Sequence, residues 1–349
     1  MLKNYLRNSF RSLLRSRSFS LINLVGLTLG FSAVMVMVVL LYQYVTANGQ
    51  FANKERMYYV KLANADGTTW AMTPYPFLYA AEATCPGIEA GTHLQQYYYP
   101  WLKAGDKEFQ DKTYFVDSGF FKVFSFPLET GDAATALRDK YSVVLSHDMA
   151  VKLFGSAAAA QGRRVQIEDS IPGTVTAVLQ PIPTNTTIRP EVLLTTSLLG
   201  DAPGFLDGAN WYNTFAENYF LLRPGADTAK INREFAKISG LKFAPDHRSS
   251  KPYLVPYSHY VQEESASLSR VLVKGMVGSI VFILLIVVAN LLNLNAASSM
   301  NRQKEMAIRK MIGGGRRQAV LQFVIENAIL VFAAMLLAFW LCQTVLMPL

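Results

Sequence analysis

The sequence predicts an α+β membrane protein: transmembrane helices plus one large α+β extracytoplasmic domain inserted between spans 1 and 2. Three observations predict it. Charged residues are absent from 18–53, 275–301 and 327–349, stretches of 36, 27 and 23 residues in a chain only 17% charged. An apolar run of about 18 residues or more crosses a bilayer as a helix. The net charge of +8 is also uneven: residues 1–45 carry +5, residues 271–349 carry +5, and residues 46–270 carry −2. Finally, the polar segment 46–270 mixes strand-like and helix-like runs, the pattern of an α+β domain.

The elements follow in order. Residues 1–18 read as an amphipathic cytoplasmic or interfacial helix. Lys3, Arg7, Arg11 and Arg15 recur on one face, with Leu2, Leu6, Phe10, Leu13 and Leu14 opposite. Such a helix can lie against anionic lipid, or simply act as a basic flank that sets topology. Residues 19–45 form span 1. Its apolar core, Leu24–Tyr42, exceeds the roughly 7–15 residues of a secretory signal, so Val45-Thr46-Ala47 is not read as a cleavage site. Gly26 and Gly30 make a GxxxG inside it, either packing on a neighbouring span or seaming a dimer.

The segment 46–270 carries strand-like runs at Met57–Leu62, Tyr114–Val116, Tyr141–Leu145, Arg164–Ile167, Thr174–Leu179 and Asn218–Leu222. Helix-like runs occupy Pro76–Ala83, His147–Phe154 and Thr228–Ser239, with Gly155 and Gly240 as helix stops. Gln180–Asn185 is a proline-punctuated loop, and Ala157–Ala160 reads as a helix end or loop. Tyr97, Tyr98, Tyr99 and Trp101 are an aromatic cluster, more often packing than ligand contact.

Residues 271–294 form span 2, 295–318 a cytoplasmic loop, and 319–347 span 3. The loop holds Arg302, Lys304, Arg309, Lys310, Arg316 and Arg317 against Glu305 alone, which places it in the cytoplasm by the positive-inside rule. The N-terminus is then cytoplasmic and 46–270 lies outside. Asn290, Asn293 and Asn295 sit at the inner end of span 2. Glu326 sits about two turns into span 3, as an interfacial carboxylate near Arg316 and Arg317 or as a span-packing group. Ionisable residues at membrane depth face protein or water because lipid exposure is costly.

The motifs exclude several functions. No Gly is followed by Lys, so no P-loop can cradle a nucleotide, and GxSxG, HExxH and CxxC are all missing. The chain is expected to be no enzyme, with no catalytic, cofactor-binding or metal residues. Cys85 and Cys342 lie in different segments and give neither a disulfide framework nor a zinc signature. His93, His147, His247 and His259 are scattered. The basic residues flank apolar runs and do not line a folded face, which argues against nucleic acid as a partner.

The most specific segment is Arg302–Gly314. It reads as a short amphipathic helix in which Glu305 and Arg309 stand i,i+4 in the favourable order. Met306, Ile308 and Ile312 supply apolar contacts, and Gly313–Gly315 end it. The run Glu305–Gln318, followed by Leu321–Asn327, resembles the signature of MacB-like and FtsX-like permeases of ABC transporters. The stretch Arg7–Gly30 is similar to the first span of that family. Phe120–Asp132, Ser142–Gly155 and Gly173–Asn185 resemble its periplasmic domain in the Bacteroidetes-type branch.

The resemblance covers nearly the whole chain. It implies a permease subunit that hydrolyses nothing itself. A separate cytoplasmic ATPase, holding the ATP, would dock on Glu305, Met306, Ile308, Arg309, Lys310 and Ile312. Gly26, Gly30, Asn293 and Glu326 are the candidate span-packing residues. The partners implied are that ATPase, a second permease half or a homodimer, and membrane lipid. The location implied is the cell inner membrane, with 46–270 periplasmic. The family's outer domain is a βαβ-type part split by an insertion, here around 105–205. Family members carry three spans after that domain and this chain carries two, so the resemblance implies either an N-terminal portion of a longer permease or a truncated and defective one. A membrane sensor and an FtsX-like cell-division regulator are the alternatives. The short inner loop argues against the first, and the large outer segment against the second.

Overall fold

The computed structural model describes residues 17–96, 99–168, 170–201, 210–259, 271–292 and 316–346. The chain divides into two compact units, one from 1–45 with 266–349 and one from 46–265.

Among the described residues, the first unit contributes three long helices. These are α1 (Arg17–Val45), α7 (Val271–Leu292) and α8 (Arg316–Leu341), the last continued by a π-turn over Cys342–Leu346. All three are long and apolar enough to cross a membrane. They expose large apolar side chains along their length, including Leu21, Ile22, Leu29, Phe282, Leu285, Phe332 and Trp340. Such exposure is costly in water and neutral in lipid.

In the second unit, β1 (Met57–Ala63), β2 (Thr69–Trp70) and β3 (Met72–Pro74) lead into α2 (Phe77–Thr84) and β4 (Ile88–Gln95). Then come β5 (Trp101–Ala104), β6 (Lys107–Gln110), β7 (Thr113–Val116), α3 (Phe120–Val123), β8 (Leu128–Thr130) and β9 (Ser142–Leu145). The helices α4 (His147–Phe154) and α5 (Ala157–Ala160) precede β10 (Arg164–Ile167), β11 (Ile171–Leu179) and β12 (Val192–Thr195). The last elements are β13 (Thr214–Leu222), α6 (Thr228–Lys242) and β14 (Lys251–Pro256).

All strands join one sheet with the order β14-β1-β13-β4-β7-β12-β9-β11-β10-β5-β6. Its first four strands are antiparallel neighbours, connected β1-α2-β4 and β13-α6-β14. That is a split β-α-β arrangement. Everything from β5 to β12 is inserted between β4 and β13. The inserted lobe holds two parallel pairs, β7 with β12 and β9 with β11. Its attachment to the split lobe along the sheet is short: Leu94 opposite Val116 and Gln95 opposite Phe115.

Burial explains the layers. Phe77, Leu78, Phe220, Ile231, Phe235 and Phe243 form the core beneath α2 and α6. Met149, Leu153, Val165, Val175 and Leu194 form the core beneath α4 and α5. A third cluster lies across the junction of the two lobes, with Phe51, Tyr59, Phe120, Phe124, Phe126, Leu193, Tyr219 and Tyr257.

Local chemistry sets the boundaries. Ser146 caps α4 by accepting from Met149 N, and Gly155 closes it at φ +86. That left-handed conformation suits glycine at a helix end. Two expectations are corrected. Gly240 does not stop α6, which continues to Lys242 because Phe243, 1% exposed, anchors the last turn in the core. Tertiary burial outweighs the roughly 1 kcal/mol propensity cost of a helical glycine. Ala157–Ala160 is a helical turn, capped by Ser156 and held by buried Ala157 and Ala160. Strands β2, β3, β4, β5, β6, β8, β12 and β14 are additional to those read from the sequence.

Candidate functional site

The three apolar helices meet around Leu27, Val287 and Ala334, with Leu24, Phe31, Ile283, Leu291 and Val331 packed against them. The glycines of α1 face this seam. A Cβ on Gly30 would collide with Val287 Cγ2, and one on Gly26 would lie 3.1 Å from Asn290 Nδ2. The two positions differ in tolerance. Val287 is β-branched and cannot swing away, whereas the Asn290 amide ends a flexible side chain. The GxxxG of span 1 therefore receives α7 of the same chain.

Polar groups are also buried in this unit. Glu326 is only 4% exposed, so it is enclosed by helices and does not sit as an open interfacial carboxylate. Asn23 is 2% exposed. Thr28 and Ser32 satisfy their hydroxyls by donating to the carbonyls of Leu24 and Thr28. The Cys342 thiol donates to the Ser32 carbonyl at 3.6 Å. Asn293 and Asn295 lie outside the described residues, as do Glu305, Met306, Ile308, Arg309, Lys310 and Ile312.

In the second unit, the polar centre lies where the inserted lobe meets the split lobe. His93 on β4 is fully buried. Its Nδ1 is 2.7 Å from Asp117 Oδ2 and its Nε2 is 3.0 Å from the Tyr75 carbonyl oxygen. Both ring nitrogens therefore sit at hydrogen-bonding distance from oxygen atoms. Asp117, at the end of β7, also accepts from His93 N at 2.7 Å, Tyr79 OH at 2.9 Å and Thr196 Oγ1 at 2.7 Å. Burial pushes its carboxyl up. The His93 charge and the hydrogen bonds from the His93 ring, the His93 amide and Thr196 outweigh that and hold it at about 2. Burial, then the Asp117 charge, raises the Tyr79 hydroxyl well above its ordinary value.

Beside this pair, Gly119 lies directly against the Gly91 carbonyl, where no Cβ fits. The sequence singled out His93 only as one of four scattered histidines. Nothing in local spacing joins it to Asp117, because their contact depends on the β4–β7 pairing.

Two of the other histidines have ordinary partners. His147 Nδ1 meets Glu129 at 2.6 Å on the surface, and the His247 ring packs edge-on against Trp70. Tyr97 and Tyr98 lie outside the described residues, and Tyr99 and Trp101 are exposed. Cys85 and Cys342 are buried free thiols. Among the described residues, no cluster of His, Cys, Asp and Glu could hold a metal ion. The described geometry is that of packing seams and a buried ion pair.

The family model described as the MacB-like periplasmic core domain matches residues 20–238. The model described as the FtsX-like permease C-terminal region matches residues 277–346. Among solved structures, a domain of a permease protein from Porphyromonas gingivalis superposes with a TM-score of 0.51 at 23% identity, covering 59% of this chain and 93% of that one. That likeness is one of fold. The periplasmic region of MacB from Actinobacillus actinomycetemcomitans gives a TM-score of 0.43 at 12% identity, over 60% of this chain and 92% of that one. The extracellular domain of the noncanonic ABC-type transporter YknZ from Gram-positive bacteria gives 0.42 at 14% identity, over 57% and 99%. No curated protein matches the chain. With both halves of the architecture matched in order, and the first match alone spanning most of the sequence, the chain belongs to the MacB/FtsX-like permeases of ABC transporters.

Proposed function

We propose that this chain converts ATP hydrolysis by a separate cytoplasmic ATPase into movement of its outer domain, for export or extraction of a substrate outside the inner membrane. The observation that supports the reading most is the ordered pair of family matches, an outer core domain followed by a permease region. The missing P-loop fits a subunit whose nucleotide sits on its partner. In this reading the ATPase grips Glu305, Met306, Ile308, Arg309, Lys310 and Ile312, in the loop between α7 and α8. A second permease half or a second copy completes the assembly. Gly26, Gly30 and Glu326 hold the helices so that they shift together, and Asn293 joins that packing.

Glu305→Lys tests the docking. It reverses a charge on the proposed gripping face and removes the i,i+4 pair with Arg309 expected from the sequence, worth only about 0.2–0.5 kcal/mol. Folding should therefore survive. Losing an interface anchor can cost about 2 kcal/mol or more. Co-purification of the ATPase with the full chain should fall by roughly thirtyfold at unchanged expression. Equal recovery of the ATPase would show the loop to be a passive connector.

A further inference from the structure

The segment that follows α1 does not run directly into β1. It first binds the loop between β11 and β12, in the inserted lobe. Asn48 N donates to the Asn185 carbonyl at 3.0 Å. Asn185 Nδ2 donates to the Thr46 carbonyl at 3.0 Å and to Thr46 Oγ1 at 3.1 Å. Thr187 donates from both N and Oγ1 to Asn48 Oδ1, each at 2.9 Å. Gln50 Nε2 donates to Thr186 Oγ1 at 2.7 Å. Asn48 is 1% exposed and holds φ +60, a left-handed conformation that asparagine tolerates better than most residues.

The outgoing segment reaches the same loop. Tyr257, just after β14, places its hydroxyl 3.1 Å from Thr187 Oγ1, and its ring packs on Phe51 at 5.9 Å. Thr187 thus touches the chain arriving from the first span and the chain departing toward the second. Pro181 and Pro183 stiffen the approach to this loop by fixing φ. Along the sheet, the inserted lobe joins the split lobe through only two residue pairs.

We propose that the Asn48–Asn185–Thr187 clasp is the positioning element through which displacement of the spans reaches the inserted lobe. It rests on the reading that the spans move the outer domain. Thr46 follows Val45 directly, so a shift at the end of α1 meets the clasp before it meets any strand. Two neighbouring side-chain acceptors and a stiff loop transmit such a shift, where a flexible linker would absorb it.

The test uses the full chain with its ATPase in lipid, carrying spin labels at the exposed positions Glu55→Cys and Gln161→Cys. Asn48→Gly keeps the left-handed backbone and removes the side-chain acceptor. Thr187→Val removes the hydroxyl at nearly constant shape. Asn64→Ala is the control, because it deletes hydrogen bonds of the same kind to Ser250 and Thr68 in the split lobe. Without nucleotide, each clasp variant should raise the population of displaced label distances about tenfold, and the control should not. With ATP, the Gln161 label should shift in the parent and in Asn64→Ala but no longer follow in the clasp variants.

Unchanged distances in both clasp variants, or an undiminished ATP response in them, would overturn the proposal. Absence of any ATP response in the parent would instead overturn the transport reading, and the transmission role with it. The measurement without nucleotide still decides whether the clasp holds the lobe.

Discussion

Replacing Asp117 with alanine should cost about 3–5 kcal/mol, because it removes one partner of a buried, multiply hydrogen-bonded pair. The carboxylate is the shared acceptor for the His93 ring, the His93 amide, Tyr79 and Thr196. Removing it leaves those donors without their shared acceptor, beside a His93 ring that is completely buried. For a domain of this size, the thermal midpoint of the full chain should fall by about 10 °C. Asp117→Asn keeps the shape and some acceptors and should cost less.

The same pair sets an acid dependence. Asp117 is held at about 2, below its ordinary value of 3.8, so its carboxylate favours the folded state above that ordinary value. This contribution is lost as pH falls through about 2, and it amounts to roughly 2–3 kcal/mol. The parent chain should therefore lose stability between about pH 4 and pH 2, and Asp117→Asn should lack that component. Thermal unfolding of both chains across the range checks it. A parent and an Asn variant with parallel acid curves would show that the pair contributes nothing to folding.

Phe124→Ala should be comparably damaging, by about 3–5 kcal/mol. Phe124 is completely buried. Its ring lies 5.5 Å from Phe51, 5.2 Å from Phe120, 5.1 Å from Tyr219 and 5.8 Å from Tyr257. These partners come from the inbound segment, from α3, from β13 and from the outgoing segment. The cavity would thus open between lobes and not within one. Because four stiff aromatic neighbours cannot collapse into the space, the loss should lie at the upper end for such substitutions. Phe124→Leu should recover most of the stability. A drop of under about 1 kcal/mol for the alanine variant, by chemical unfolding of the full chain, would contradict a rigid core at the lobe junction.

The membrane helices and the α+β class were legible because they rest on long, simple signals. Uninterrupted apolar length and charge bias survive any error in local detail. Helix α4 was equally legible, since Ser146 and Gly155 mark its two ends within the sequence itself. Strand β4 was not, because its alternation of Ile88, Ala90, Thr92 and Leu94 with Glu89, Gly91, His93 and Gln95 is poor in the β-branched and aromatic residues that mark strands. Its polar side chains are placed by contacts with β7 and α2 and not by a solvent face. Gly240 misled for the opposite reason: a strong local stop signal was overridden by the buried ring of Phe243. The His93–Asp117 pair and the Asn48–Thr187 clasp join residues 24 and 139 positions apart. Such pairings arise from sheet order and loop placement, which single-chain periodicity does not encode. Gly26 and Gly30 stood out as a pattern, but choosing α7 over a second copy as their partner required the packed helices.

The account depends on the outer domain and the 295–318 loop lying on opposite sides of the membrane. The most direct test is labelling of single cysteines in intact cells with a membrane-impermeant reagent. Asp106→Cys, on the exposed turn between β5 and β6, should react at once. Lys304→Cys should react only after the membrane is opened. Labelling of Lys304→Cys in intact cells, with Asp106→Cys protected, would contradict the account.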